Sequence, residues 1–300
     1  MVALCHGVRR RRAAARLGAA FCKANAPHKA KLIQIRERIA TMENIFDSHA
    51  HYDNEQFDAD REELLAALPG RGVGYIMNAA CDLATSEFGV GLTERHGHVY
   101  CSVGVHPHEA KDAPEDLEAR LAALVRENPK VRALGEMGLD FHYDFSPRER
   151  QREVFRRQLV LAKELEMPVI IHNREAHGET MELIRELRPR GIVHCYSGSA
   201  EMARELVRLG LYIGFTGVVT FKNARKVLEA AAAVPLERLL IETDCPYMAP
   251  EPCRGKRCDS SMLPGVARVL AEVKGVEPQL LAEATYRNAC AVYGIKTSCA

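Results

Sequence analysis

The chain has 300 residues, of which 47% are hydrophobic and 27% charged, as in a globular protein with a sizeable buried core. No apolar run of about 18 residues or more occurs, so no membrane-spanning helix is predicted. The net charge of +1 is unevenly distributed: residues 1–41 carry ten Lys or Arg and one acid, and the remainder has a net charge of −8. Residues 42–300 therefore lack the positive field of a protein that coats nucleic acid.

Residues 1–41 precede the first predicted strand and are interpreted as a basic, disordered extension. This segment contains Arg9 to Arg12, and Met42 stands just before the apolar pair Ile45 and Phe46. Three interpretations are open: a start site assigned too far upstream, an Arg-rich mitochondrial-type transit peptide, or a basic arm that binds nucleic acid.

From residue 45 onward, short apolar runs alternate with amphipathic stretches. The predicted strands span residues 45–49, 73–79, 99–105, 131–136, 168–172, 191–195, 211–215 and 239–244. Helical spacing of apolar residues predicts helices over residues 60–68, 147–166, 200–209 and 223–233. Eight strand–helix repeats over about 255 residues predict an α/β fold, a (β/α)8 TIM barrel that occupies residues 42–300 as a single domain.

An open, doubly wound sheet is the alternative architecture. It would require a Gly-rich phosphate-binding turn after the first strand. The sequence has His49-Ala50-His51 at that place, which favours the barrel.

Side chains that bind metals recur where the predicted strands end. A strand places His49 and His51 on one face, since they are two residues apart. In a (β/α)8 barrel the carboxyl ends of all strands meet at one face, where the chemistry takes place. The ligand-type residues at these ends are His49, His51, Glu136, His172, His194 and Asp244. Four imidazoles and two carboxylates at one face predict a metal site.

Six ligands exceed the three that one catalytic metal usually takes from protein, so two divalent ions are predicted, with Zn, Mg or Mn compatible with these N and O donors. Glu136 lies on a strand between the two groups of histidines and is the predicted bridge. Two such ions acidify a shared water and hold the oxygens of a displacement, which predicts metal-assisted hydrolysis. Asp244 is predicted to act also as the general base.

Six short motifs occur in a distinctive order along the chain: 47–51 (DSHAH), 104–108 (GVHPH), 135–140 (GEMGLD), 172–176 (HNREA), 194–198 (HCYSG) and 242–247 (ETDCPY). Over roughly residues 44–294, the chain thereby resembles the TatD family of metal-dependent hydrolases. The resemblance implies a (β/α)8 barrel, a two-metal centre and hydrolysis of DNA phosphodiesters, often as a 3′-exonuclease. It also implies that the six residues above are metal ligands, and it gives residues 1–41 no counterpart.

Two further residues are predicted to contact the substrate near this face. His106 is expected to donate to a phosphate oxygen or to protonate the leaving group, the alternative being a histidine that supports the fold beside Pro107. Arg174 is expected to bind a phosphate, the alternative being a salt bridge with Glu175 or another nearby acid.

The loop after the eighth strand carries Arg254, Lys256 and Arg257, which are predicted to attract a phosphate, although such a run is often only solvated. The family tends to follow this run with Asn-Glu-Pro, whereas residues 258–260 are Cys-Asp-Ser, which puts substrate handling in doubt. Because Trp is absent, base stacking would have to use side chains such as Phe141, Tyr143 or Tyr247.

The favoured function is a deoxyribonuclease that acts on DNA ends or single-stranded DNA, with no membrane and no obligate protein partner. The alternatives are a two-metal amidohydrolase or lactonase acting on a small molecule, and a non-catalytic binding module. The intact ligand set disfavours the module, and the cations favour an anionic substrate. Ten cysteines without a paired framework indicate free thiols in the reducing cytoplasm.

Overall fold

The computed structural model describes residues 42–296, which form eight strands and nine α-helices. The strands are β1 (Ile45–Ala50), β2 (Val73–Asn78), β3 (Val99–Val103), β4 (Val131–Asp140), β5 (Val169–Arg174), β6 (Gly191–Val193), β7 (Tyr212–Phe215) and β8 (Leu239–Ile241). The helices are α1 (Arg61–Ala67), α2 (Leu83–Arg95), α3 (Leu117–Glu127), α4 (Arg148–Glu164), α5 (His177–Leu187), α6 (Ala200–Arg208), α7 (Arg225–Ala233), α8 (Leu263–Lys274) and α9 (Pro278–Val292).

The sheet order follows the chain from β1 to β8, and every recorded strand pair is parallel. Parallel neighbours require a crossover connection, which the helices supply. The eight strands form a nearly closed barrel, so the predicted (β/α)8 fold is confirmed and the open doubly wound sheet is wrong. The predicted extension over residues 1–41 lies outside the described residues. Within 42–296, no helix is long and apolar enough to cross a membrane.

Strand β4 differs most from its prediction, because it continues from residue 136 to Asp140. Its partner β5 runs alongside, pairing Gly138 with His172 and Asp140 with Arg174. The glycines at 135 and 138 interrupt the apolar run and concealed this extension in the sequence. In contrast, β6 and β8 end before His194 and Asp244, so these two side chains lie just beyond their strands.

One buried cluster joins residues from six strands: Phe46, Met77, Ala133, Ile170, Ile192 and Leu240. Ala289 of α9 and Tyr293 belong to the same cluster, and the Tyr293 hydroxyl donates to the backbone carbonyl of Ser48 at 2.8 Å. In β5, His172 follows Ile170 by two residues, on the same side of the strand. The apolar cluster therefore gives way to polar side chains toward the carboxyl ends of the strands.

A buried carboxylate joins the first strand to the segment after the last. Asp47 is fully buried, and its oxygens accept from the Thr243 amide at 2.9 Å, the Thr243 hydroxyl at 2.6 Å and the Ser260 hydroxyl at 2.6 Å. Backbone bonds lie beside it, since the Asp244 amide donates to the His49 carbonyl at 2.9 Å. Asp47 thus helps to hold β1 against the end of β8.

We expect Asp47→Ala to lower the free energy of unfolding by roughly 3 kcal/mol, because three buried donors lose their acceptor. Urea unfolding followed by circular dichroism measures the change. Asp116→Ala is the matched control, since Asp116 is exposed and makes no side-chain cap bond. Equal stability of the two variants would contradict this role of Asp47.

Glycine is required where β4 and β5 approach each other. Gly138 has φ +151°, and a Cβ placed on it would lie 1.9 Å from the His172 carbonyl oxygen. Backbone atoms cannot withdraw as a flexible side chain can, so this position excludes every other residue.

Gly138→Ala is expected to reduce the free energy of unfolding by roughly 3 kcal/mol through backbone strain and steric overlap. The control is Gly178→Ala in α5, where nothing lies within 4 Å of an added Cβ and helix propensity favours alanine. Thermal denaturation of both variants tests the comparison. A Gly138 variant as stable as the wild type would show that β4 and β5 can separate.

Candidate metal centre

A cavity of about 640 Å³ opens at the carboxyl ends of the strands. The predicted metal ligands that line it are His51, Glu136, His172, His194 and Asp244, and His49 lies directly behind them. The fold thus brings all six predicted ligands together. In three sets of three residues the ligand atoms lie within 4.8 Å of one another: His49, His51 and Glu136; His49, His194 and Asp244; and His106, Glu136 and His172.

One group of ligand atoms surrounds Oε2 of Glu136. His49 Nε2 lies 3.2 Å and His51 Nε2 lies 3.6 Å from this oxygen, and the two nitrogens are 3.0 Å apart. Asp244 Oδ1 lies 3.3 Å from His51 Nε2 and 3.6 Å from His49 Nε2. Two nitrogens and two carboxylate oxygens therefore face a common point.

A second group surrounds the other oxygen of the same carboxylate. His194 Nε2 lies 2.7 Å and His172 Nδ1 lies 2.8 Å from Glu136 Oε1, and the two nitrogens are 3.3 Å apart. Glu136 is almost fully buried between the groups. Each of its oxygens belongs to a different group, as a bridging carboxylate requires.

The spacing of these atoms fits divalent cations. Ligand atoms of a tetrahedral site with bonds of about 2.1 Å are separated by about 3.4 Å. Contacts within the first group are 3.0–3.6 Å, and the corresponding contacts in the second are 2.7–3.3 Å. Two imidazole nitrogens at 3.0 Å, both turned to carboxylates, are an arrangement that a shared cation satisfies.

Hydrogen bonds at the far side of two rings decide which nitrogen is free to bind a metal. His51 Nδ1 donates to the Ala79 carbonyl at 2.9 Å, so in the neutral ring Nε2 is unprotonated and turned toward the first group. His172 Nε2 donates to Asp140 Oδ2 at 3.1 Å, so in the neutral ring Nδ1 is unprotonated and turned toward the second group. Such outer partners orient metal-binding histidines in proteins.

His106 differs from both rings because it turns a protonated nitrogen toward the centre. Its Nδ1 accepts from the His108 amide at 3.1 Å, so in the neutral ring the proton sits on Nε2, 3.4 Å from Glu136 Oε1. A protonated Nε2 cannot bind a metal. His106 is therefore placed as a hydrogen-bond donor at the edge of the second group.

Burial and mutual charge set the protonation of the centre. Burial lowers the pKa of His49 and of His106 to about 4, so both rings are neutral at pH 7. Burial alone would raise the pKa of Glu136, but His194, His106 and His49 hold it well below its ordinary range. Nearby acidic groups outweigh burial at the other three rings: the pKa of His172 is raised to about 9, and those of His51 and His194 are raised as well. A divalent cation binds the unprotonated nitrogens, so its binding would displace protons from these rings.

Two outer carboxylates belong to the sequence motifs but had no predicted role. Asp140 Oδ2 accepts from His172, and Glu242 Oε1 lies 3.7 Å from His194 Nδ1. Burial raises the pKa of Glu242 to about 7. Asp140 stands four residues after Glu136, and Glu242 stands two before Asp244. Even spacing from a predicted ligand is the signal that could have identified both.

The predicted phosphate-binding cations divide into two sets. Arg174 lines the cavity, and its expected alternative partner Glu175 instead contacts His142 Nδ1 at 3.0 Å. Arg254, Lys256 and Arg257 do not line the cavity. Arg257 forms a two-pronged salt bridge with Asp60 at 2.6–2.7 Å, and Arg254 lies over the Phe221 ring at 4.2 Å. Of the four cations, only Arg174 is placed beside the centre.

Known relatives match nearly the whole described region. The family described as "TatD related DNase" matches residues 46–294. The "Uncharacterized metal-dependent hydrolase YabD" of Bacillus subtilis is 41% identical over 254 residues, which are 84% of this chain and 99% of that protein. The "3'-5' ssDNA/RNA exonuclease TatD" of Cronobacter sakazakii is 35% identical, over 83% of this chain and 97% of that protein.

Solved structures agree. The TatD homolog YjjV of Escherichia coli superposes with a TM-score of 0.79 at 31% identity, covering 86% of this chain and 100% of that one. A TatD family hydrolase of Entamoeba histolytica has the same fold, with a TM-score of 0.77 at 22% identity. The resemblance inferred from the motifs is confirmed, and the chain belongs to the TatD family of metal-dependent hydrolases.

Proposed function

We propose that this protein hydrolyses DNA phosphodiester bonds, removing nucleotides from the 3′ end of a single strand with the help of two divalent cations. The observation that carries the proposal is Glu136, whose two oxygens each face a separate group of ligand atoms. Paired cations a few Å apart are typical of enzymes that displace an oxygen at phosphorus.

His49, His51, Asp244 and Oε2 of Glu136 would hold one cation. His172, His194 and Oε1 of Glu136 would hold the other. When bound, such ions acidify a nucleophilic water and neutralise charge on the phosphate. Zn, Mg and Mn are all compatible with this donor set.

Two side chains are proposed to move protons. Asp244 Oδ1 faces His49 and His51, which leaves Oδ2 to accept the proton of the attacking water as general base. In its neutral form His106 carries its proton on Nε2, at the edge of the centre, and we propose that it donates this proton to the leaving oxygen. Glu136 stays ionised and orients both groups of ligand atoms.

A nucleic-acid substrate is supported by charge and by relatives. Arg174 brings a guanidinium to the cavity wall, and no carboxylate within the described residues forms a salt bridge with it. Guanidinium groups bind phosphate oxygens in a planar, two-pronged geometry. The Cronobacter sakazakii relative is named a 3'-5' ssDNA/RNA exonuclease. A reducing, cytoplasmic location is proposed as well, since the seven cysteines within residues 42–296 are free thiols.

Asp244→Asn is expected to lower kcat for DNA hydrolysis at least about 100-fold, because a general base contributes on that scale. The assay uses chelator-stripped protein with Mg²⁺, Mn²⁺ or Zn²⁺ restored, and follows release of nucleotides from end-labelled single-stranded DNA. Bound metal, measured by elemental analysis, should remain at one ion or more per chain. Asp53→Asn is the control: it changes a carboxylate that lines the cavity outside both ligand groups, and most activity should remain.

The same assay includes a panel of lactones and amides, since an activated water could also attack a carbonyl carbon. Turnover of such a substrate without release of nucleotides would overturn the DNA substrate and favour the amidohydrolase alternative. Activity of Asp244→Asn at the wild-type level would remove Asp244 as the base.

Arg174→Ala is expected to weaken binding of single-stranded DNA and to reduce the slope of log affinity against log salt by about 0.7, the value for one lost phosphate contact. Fluorescence anisotropy over a salt series measures both. Arg174→Lys should restore the slope, because the charge is retained. Lys256→Ala is the control for a cation outside the cavity wall. A larger loss in that control would place the phosphate contact in the loop after β8.

A further inference from the structure

Exposed aromatic side chains gather around the mouth of the cavity. Within residues 42–296, six large hydrophobic side chains are exposed, and three of them are Tyr143, Phe145 and Tyr247. Tyr143 and Tyr247 line the cavity, and Phe145, at 57%, is the most exposed of the six. Burial of apolar surface would normally remove such rings from water, so their exposure beside a catalytic cavity points to a ligand.

Tyr143 and Phe145 form one continuous aromatic surface. Their ring centroids are 5.3 Å apart, and the ring planes differ by 22°. The His108 ring meets both edge-on, at 5.5 Å from Tyr143 and 4.8 Å from Phe145. Because His108 and Tyr143 line the cavity, this surface leads from the candidate metal centre outward to Phe145.

Hydrogen bonds to Asp140 link this aromatic surface to the metal centre. Asp140 Oδ1 accepts from the amides of His142 and Tyr143 at 2.9 and 3.0 Å, and its Oδ2 accepts from His108 and His172 at 2.9 and 3.1 Å. One buried carboxylate thus orients both a proposed metal ligand, His172, and the start of residues 141–146, which we call the aromatic segment.

The far end of the segment is also fixed. The Ser146 hydroxyl donates to the His108 carbonyl at 2.7 Å, and the side-chain amide of Gln151 donates to the Ser146 carbonyl at 2.8 Å. Residues 141–146 are therefore anchored at both ends. A segment whose backbone is anchored in this way loses less conformational entropy when a ligand binds to it than a free loop would.

The charged side chains around the rings favour binding of a polyanion, because two nearby carboxylates are paired and a guanidinium lies beside Tyr143. Asp144 is paired with Arg148, and Glu175 is paired with His142. The Arg174 guanidinium lies 4.7 Å from the Tyr143 centroid, without a salt bridge among the described residues. A cation beside a stacking surface is the combination by which proteins bind single-stranded nucleic acid without reading its sequence.

We propose that Tyr143 and Phe145 form a base-stacking subsite, in which a nucleobase next to the scissile phosphodiester stacks on Phe145. This inference rests on the proposed nuclease function and specifies how the single strand is held. Any base presents an aromatic face, so the subsite would select single-stranded nucleic acid without selecting sequence.

The test is binding of fluorescein-labelled single-stranded oligo(dA) to the metal-loaded protein, with phosphorothioate linkages that resist cleavage. Phe145→Ala should raise Kd roughly tenfold, as expected for one lost base–aromatic stack. Phe145→Tyr should restore binding. Phe88→Ala is the matched control, since Phe88 is also exposed but does not line the cavity or touch the segment.

A second arm removes the base instead of the ring. An abasic residue is placed in turn at each position near the 3′ end. At one position, loss of the base should weaken wild-type binding by about the same factor and abolish the effect of Phe145→Ala. In cleavage of ordinary DNA, Phe145→Ala should raise KM and leave kcat nearly unchanged.

The outcomes separate the two proposals. If the wild type cleaves DNA while Phe145→Ala binds and cleaves as the wild type does, the stacking subsite is overturned and the nuclease function stands. An effect of Phe145→Ala that is equal on abasic and intact strands overturns the subsite as well. A wild-type protein that neither binds nor cleaves single-stranded DNA overturns both.

Discussion

The site depends on one buried carboxylate shared by four imidazoles. Glu136 is almost fully buried at the carboxyl ends of the strands, where an isolated charge would be strongly disfavoured. His49 and His51 face one of its oxygens, and His172 and His194 face the other. Removing this carboxylate would leave both groups of nitrogens without a common partner, so the remaining geometry is organised around it.

Three further buried carboxylates lie behind the ligand atoms and hold the ligands in place. Asp140 orients His172, Glu242 lies beside His194, and Asp47 joins β1, which carries His49, to the segment after β8. None of the three has an oxygen in the ligand groups around Glu136. Their positions explain how ligands from five separate strands or strand ends converge, because each element is fixed by a neighbour as well as by the barrel.

Asp140 also connects the candidate metal centre to the aromatic surface that would meet a substrate. Its two oxygens divide between the histidines of the centre and the amides that begin the aromatic segment. If the proposed nuclease function holds, this link would keep a stacked base and a scissile phosphate at a constant separation. Accurate positioning of the reacting group is a large part of what such a protein contributes to the rate.

Much was determined by the sequence alone. The alternation of apolar runs and amphipathic stretches predicted eight strands and the barrel, and the ligand types at the strand ends predicted a polar centre that the fold brings together. These signals are local, since strand and helix periodicity and residue chemistry need no partner. Only the tertiary structure decided that β4 continues to Asp140, that His106 presents a protonated Nε2, and that Arg257 is engaged by Asp60 while Arg174 faces the cavity. Two of these depend on residues distant in the chain, because β5 extends the ladder of β4 and Asp60, just before α1, pairs with Arg257. The tautomer of His106 is set by the His108 amide, two residues away, through a backbone conformation that only the folded turn defines.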